Sequence, residues 1–172
     1  MRTSVDVHTF LIERDVPHEV FLTTGRLRSP EQLAAVLDLP QSEVGRVVVY
    51  DSPAGRPVAA VVPVGAVPDL DAVRRTLGTG PLRPASDSRA SELSGYLAES
   101  IPPAGLPVPF RVVIDSSFDR DAVLYFPGGE VRSVLKVRGT DLVQATGAAV
   151  AAISAPPRTA DGSGIRAGAA AR

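Results

Sequence analysis

A chain of 172 residues with 44% hydrophobic and 22% charged residues is long and apolar enough for one domain with its own core. A net charge of −1 excludes a uniformly basic nucleic-acid binder, and the absence of cysteine excludes disulfides, thiolate nucleophiles and thiolate metal centres. No apolar run approaches the roughly 18 residues of a membrane span. The start, "MRTSVDVHTF", lacks the apolar core of a signal peptide. The expectation is a cytoplasmic protein with no membrane attachment.

Residues 4–14 place Val7, Phe10, Leu11 and Arg14 on one helical stripe, with Ser4 as the N-cap. "VPHEVFL" (16–22) reads as a short strand after Pro17. "SPEQLAAVLDLP" predicts a helix capped by Ser29, with Pro30 in its first turn and Gln32 at the capping-box position. "GRVVVYD" (45–51) and "PVAAVVPV" (57–64) are near-continuous apolar runs, as in strands covered on both faces, joined by a turn at "SPAGRP". A helix over 69–78 stops at Gly78, and a short one over 89–96 breaks at Gly95. Strands follow at 110–115, 122–126 and 131–137, the last two forming a hairpin around "PGG". A final helix is predicted from Thr140 through 153. The segment 154–172, rich in Pro, Gly and Ala, reads as a disordered tail behind a single domain over 1–153. The fold class is α+β with a mixed sheet.

Side-chain chemistry of the usual kinds finds little support. His8 and His18 both lie near the start, and there is no G-x-S-x-G elbow to pair with either. No H-x-x-x-H spacing, P-loop or G-x-G-x-x-G is present, so neither a metal nor a nucleotide cofactor is expected. Asp119 and Asp121 sit in a turn as solvated charge. A backbone-built site remains, in which glycine loops bring N–H donors to a ligand. "GYLAESIPPAG" (95–105) and "FPGGEV" (126–131) are the two candidates. Each also has a plainer reading, a rigid connector for the first and a hairpin turn for the second.

Over residues 4–147 the order of segments resembles the YbaK/ProX-type aminoacyl-tRNA deacylases, relatives of the editing domain of bacterial prolyl-tRNA synthetases. "SEVGRVVVY" is similar to the family's Q-V-x-K-T-L-V strand, and "AAVVPVGAVPDLDAVRRTLG" to its VPG…DL segment. "SGYLAESIPPAG" resembles its T-G-Y-x-x-G-G-x-x-P-x-G loop, with Gly95, Tyr96, Pro103 and Gly105 in register. "VVIDSSFDRDAVLYFPGGEVRSVLKVRGTDL" is similar to the ending of the family.

The resemblance implies a mainly antiparallel, barrel-like sheet flanked by helices. It implies hydrolysis, in trans, of a mischarged aminoacyl ester at the acceptor end of tRNA, without a cofactor and with an aminoacyl-tRNA synthetase as a further partner. Arg46 would contact the ester or terminal nucleotide, and Gly105, Gly128 and Gly129 would shape the pocket and donate N–H groups. The substrate-binding set is then Tyr96, Glu99, Ser100 and Pro103 of the loop, with Tyr50 and His18 beside them. Arg26, Arg28, Arg74, Arg75 and Arg83 would form a basic rim. The chain departs from the family at Arg46 (lysine there), at Glu99 and Ser100 (paired glycines), at Pro127, which has no N–H, and at Val134. These departures leave an alternative from another class: a catalytically silent module binding tRNA, a synthetase or a small ligand. Glu99 separates the two, because a carboxylate aimed into the pocket would repel phosphate.

Overall fold

The computed structural model describes residues 1–53 and 55–155. Helix α1 (Ser4–Ile12) opens the chain, followed by β1 (His18–Leu22) and α2 (Pro30–Leu37). Then come β2 (Gly45–Asp51), β3 (Val58–Pro63), β4 (Val67–Pro68), α3 (Leu70–Leu77), β5 (Arg83–Pro84) and α4 (Asp87–Ser94). After the loop 95–110, β6 (Arg111–Asp115), β7 (Val123–Pro127), β8 (Ser133–Arg138), α5 (Gly139–Thr146), β9 (Ala149–Ala151) and β10 (Ser154–Ala155) complete the described chain. Among the described residues no helix is long and apolar enough to cross a membrane.

The larger sheet has the order β5-β2-β3-β6-β9, antiparallel from β5 to β3 and parallel from β3 to β9. The smaller is the antiparallel set β1-β8-β7, and β10 pairs with β4. The predicted α+β class with a mixed, mainly antiparallel arrangement is what the chain adopts. The barrel-like detail is not seen: the two main sheets meet through one parallel bridge, Val44 with Tyr125, and no closed ring forms among the described residues.

The apolar run of β3 is buried on both faces, as its composition predicts. Val61 packs with Val7 and Leu11 of α1, Phe126 of β7 and Leu135 of β8. Val58, Ala60 and Val62 point the other way, against Ala72, Val73 and Leu77 of α3. A third cluster seats Leu33 and Ala34 of α2 on Val44, Val64 and Val134. Burying a side chain of this size contributes about 1.5–3 kcal/mol, so the two-faced strand fixes α1 and α3 on opposite sides.

Three local expectations change. The cap of α1 is Thr3, not Ser4: Thr3 Oγ1 accepts from the Val5 N–H, and the Asp6 carboxylate accepts from the Thr3 N–H at 2.7 Å. This frees Ser4 to bond Glu130 of the β7–β8 turn through its N–H and its hydroxyl. The last helix ends at Gly147, which adopts a left-handed conformation, and Ala149–Ala151 instead extend the sheet beside β6. An unpaired β6 edge offers backbone hydrogen bonds that alanine's helix propensity does not outweigh. Ser154 and Ala155, placed in the tail by composition, form β10 against Val67 and Pro68. The remainder of the predicted tail, 156–172, lies outside the described residues.

Candidate functional site

β5 and the residue after it cover β2 from Val49 to Asp51, which leaves the outer edge of β2 open over Arg46–Val48. A cleft of about 230 Å³ lies along that edge, walled by the start of α2 (Pro30, Glu31), by Ala85 and Asp87 at the start of α4, and by Ala98 and Ile101 of the loop. Val44 sends its C=O to β3, accepting from Val64 N–H, while Val49 sends its C=O outward to Ala85 N–H at 3.0 Å. Strand alternation therefore turns the N–H and C=O of Val47 toward the cleft edge.

Arg46 stands at one end of this cleft, with its side chain 27% exposed. One Nη donates to the Ala66 carbonyl at 2.6 Å, which holds the guanidinium to the turn before β4. Its Nε lies 4.0 Å from Glu31 Oε1, too far for a hydrogen bond, and is buried without a partner. The guanidinium is the one basic group that lines the cleft among the described residues, opposite Glu31 and Asp87.

The loop behind the cleft is unusually buried. Tyr96 is 1% exposed, donates its hydroxyl to Gly105 O at 2.9 Å, and supports Gly129 with its ring edge. Burial pushes the Tyr96 hydroxyl up to about 12, with Asp6 adding to the rise and Arg2 opposing it. Arg2 also bonds Gly105 O with its side chain and Gly95 O with its N–H, so the N-terminus ties both ends of the loop. Ser100 is buried, with its hydroxyl on Leu97 O, and Pro103 is buried as well. Glu99 does not line the Arg46 cleft. It pairs with Arg26 at 2.6 Å above a narrow gap between α2 and the β7–β8 hairpin.

The hairpin glycines spend their donors internally. Gly128 N–H bonds Ser133 O at 2.9 Å and Gly129 N–H bonds Ser100 O at 3.0 Å, so the hairpin braces the loop. Side chains are excluded at both: a Cβ on Gly128 would sit 2.8 Å from Ser133 Oγ and 2.9 Å from its backbone carbon. Gly129 holds φ +101°, a left-handed conformation that L side chains rarely adopt. Gly105 faces a different groove, beneath α1 with Arg2 and Phe10.

Of the residues singled out in the sequence, Arg46 lines the cleft, whereas Glu99, Ser100, Gly128 and Gly129 lie on the neighbouring loop and hairpin outside it. Tyr50 is 4% exposed within the α3-side core and so offers no stacking face. Burial raises its hydroxyl, Arg46 lowers it and Asp69 raises it. His18 lies elsewhere, its Nδ1 on Val16 O and its Nε2 2.8 Å from His8 Nδ1. No group of three or more His, Asp or Glu is arranged to hold a metal among the described residues. The basic rim divides: Arg26 pairs with Glu99 over the gap beside α2, whereas Arg74 pairs with Asp71 on α3. Sequence reasoning missed Glu31, Val47 and Asp87. Only Glu31 carried a signal, as a carboxylate in the first turn of a clearly marked helix.

Fold and cleft together define an α+β domain whose pocket is lined by a strand edge, a single guanidinium and two carboxylates. The chain belongs to the aminoacyl-tRNA editing domain family, whose sequence profile matches residues 24–145. Among solved structures it is similar to hypothetical protein APE2540, at 27% identity and a TM-score of 0.81 over 87% of this chain and 99% of that one. It is also similar to a protein described as a candidate trans-editing enzyme for prolyl tRNA synthetase. That match has 22% identity and a TM-score of 0.77 over 90% of this chain and 98% of that one, a likeness of fold. Among curated proteins nothing matches.

Proposed function

We infer that this chain hydrolyses a mischarged aminoacyl ester at the 3′ end of tRNA, acting in trans. The observation that carries the reading is Arg46, which lines the cleft at the position where the family places lysine. In this reaction water oxygen bonds to the ester carbonyl carbon, the bond from that carbon to the ribose oxygen breaks, and the ribose oxygen takes up a proton. Arg46 would face the oxygen that gains charge, and the outward N–H of Val47 is a second donor on the same edge. Glu31 and Asp87 give the cleft a negative side for the α-ammonium of the aminoacyl group. Gly128 and Gly129 brace the loop rather than act as donors, since their N–H groups are already bonded and neither lines the cleft. The pairing of Glu99 with Arg26 favours the hydrolase over the silent binder, because its charge is compensated and lies outside the Arg46 cleft.

A panel of mischarged tRNAs incubated with wild type and Arg46→Ala tests the reading. Release of one amino acid is expected, with a rate about 10²–10³-fold lower in the variant, the usual cost of one oxyanion donor. tRNA binding without release from any member of the panel would refute hydrolysis and leave a binding module.

A further inference from the structure

A second cavity, of about 260 Å³, lies at the far end of β2 from the cleft, lined by Ser52, Gly55, Arg56, Thr79, Gly80 and Arg111 among others. It contains two guanidinium groups and no carboxylate, and among the described residues neither arginine forms an ion pair. Arg56 donates Nε to Pro109 O at 2.7 Å, which fixes the plane of its guanidinium. Arg111 is half-buried at the start of β6, its N–H tied to Pro57 O at 2.9 Å. Thr79 Oγ1 is buried without a partner in the same wall. The carboxyl end of α3 lies nearby, but its roughly half-unit of negative charge is outweighed by two full positive charges.

Two guanidinium groups without an ion pair, one of them held by Pro109 O, and flanking glycine backbone match the charge and donor chemistry of a phosphate group. The geometry points to a phosphate site that takes a phosphodiester of the tRNA acceptor strand, an assignment that rests on the editing function proposed above. Arg46 and Ser52 are six residues apart along β2 and its immediate extension, so the pocket lies about 20 Å from Arg46 at roughly 3.3 Å per residue. At about 3.4 Å per stacked nucleotide, that distance spans on the order of six nucleotides. A substrate whose 3′ end sits at Arg46 reaches this pocket only if it extends on the order of six nucleotides from that end, into its acceptor stem. Direct base readout plays no part, so the pocket sets affinity and register rather than the identity of the tRNA.

The test compares wild type, Arg56→Gln/Arg111→Gln and Gly80→Asp, using an uncharged acceptor-stem minihelix, the 3′-terminal trinucleotide and inorganic phosphate as probes. Gly80 is exposed and a Cβ there meets nothing within 4 Å, so its carboxylate variant should fold even if loss of Arg111 disturbs β6. Both variants should bind the minihelix about ten-fold more weakly, with a salt slope lower by roughly one counterion. Binding of the trinucleotide should not change. Inorganic phosphate should move the amide resonances of Gly55, Thr79 and Gly80 in wild type only. Equal minihelix affinity in all three proteins overturns the proposal. Phosphate shifts without a minihelix effect overturn the acceptor-strand assignment in favour of free phosphate. Deacylation of the charged minihelix, read separately, distinguishes failure of this pocket from failure of the editing function.

Discussion

Asp115, at the end of β6, is 1% exposed and accepts from four donors. Its Oδ1 takes the N–H of Ile153 at 2.9 Å and of Ser154 at 3.2 Å, and its Oδ2 takes the hydroxyls of Ser154 at 2.6 Å and of Ser117. The segment it secures runs on into β10, which pairs with Val67 and Pro68, next to the Ala66 carbonyl that anchors Arg46. Asp115→Asn keeps the shape but removes the charge from all four bonds and obliges an amide to face two hydroxyls. Hydrogen bonds to a charged group contribute about 1.5–3 kcal/mol and neutral ones about 0.5–1.5, about 4–6 kcal/mol of difference over four bonds; relief from burying a charge offsets about half, so the change should cost about 2–3 kcal/mol. For a domain of this size that lowers Tm by about 5–10 °C in calorimetry or a circular dichroism melt. Burial by itself would raise the Asp115 carboxyl, but the hydrogen bonds from Ser117, Ser154 and the two N–H groups outweigh it and hold the carboxyl below its ordinary value. Because the folded-state value is depressed, its contribution is complete above the unfolded value near 3.9 and is lost as pH falls through the folded one. The variant should therefore lose part of the acid limb of the stability curve. An unchanged Tm together with an unchanged acid limb would refute the assignment of Asp115 as the anchor of the C-terminal strap. Deacylation should also fall in the variant, by less than in Arg46→Ala, since the anchor of Arg46 is loosened rather than removed.

The other predictions concern the loop and its supports. Gly128→Ala should destabilise by about 1–3 kcal/mol through overpacking against Ser133, a shift readable by urea titration. Tyr96→Phe deletes the bond to Gly105 O but leaves that carbonyl with Arg2, so a loss of about 1 kcal/mol is expected in the same assay. Arg26→Ala should leave stability within about 1 kcal/mol, because the Arg26 side chain is largely exposed and Glu99 keeps part of its contact with solvent. The same substitution should raise KM for charged tRNA by uncovering the Glu99 carboxylate beside the cleft. A KM equal to that of wild type would show that Glu99 does not face the approaching phosphates.

Local codes in the sequence determined much of this protein. The continuous apolar runs of β2 and β3, the Ser29–Pro30 start of α2 and the glycine stops after α3 and α4 are written in periodicity and backbone preference, and each element formed where these placed it. The order of motifs likewise carried the family, and with it Arg46 and the 95–105 loop. Other features depend on partners far away in the chain and have no local signature. A strand of three alanine-valine residues at 149–151 exists because β6 has an open edge. Gly128 and Gly129 read as free donors until Ser133 and Ser100 are brought to them. Tyr50 and Tyr96 read as substrate-binding aromatics until the core closes over them. Glu31, Val47 and Asp87 meet only because β5 stops short and leaves one strand edge uncovered. Secondary structure follows from short-range sterics and hydrophobic period, which the sequence holds locally. Which donors stay unpaired, and which charges share a cleft, depends on the full balance of hydrogen bonds and burial, which only the assembled tertiary structure decides.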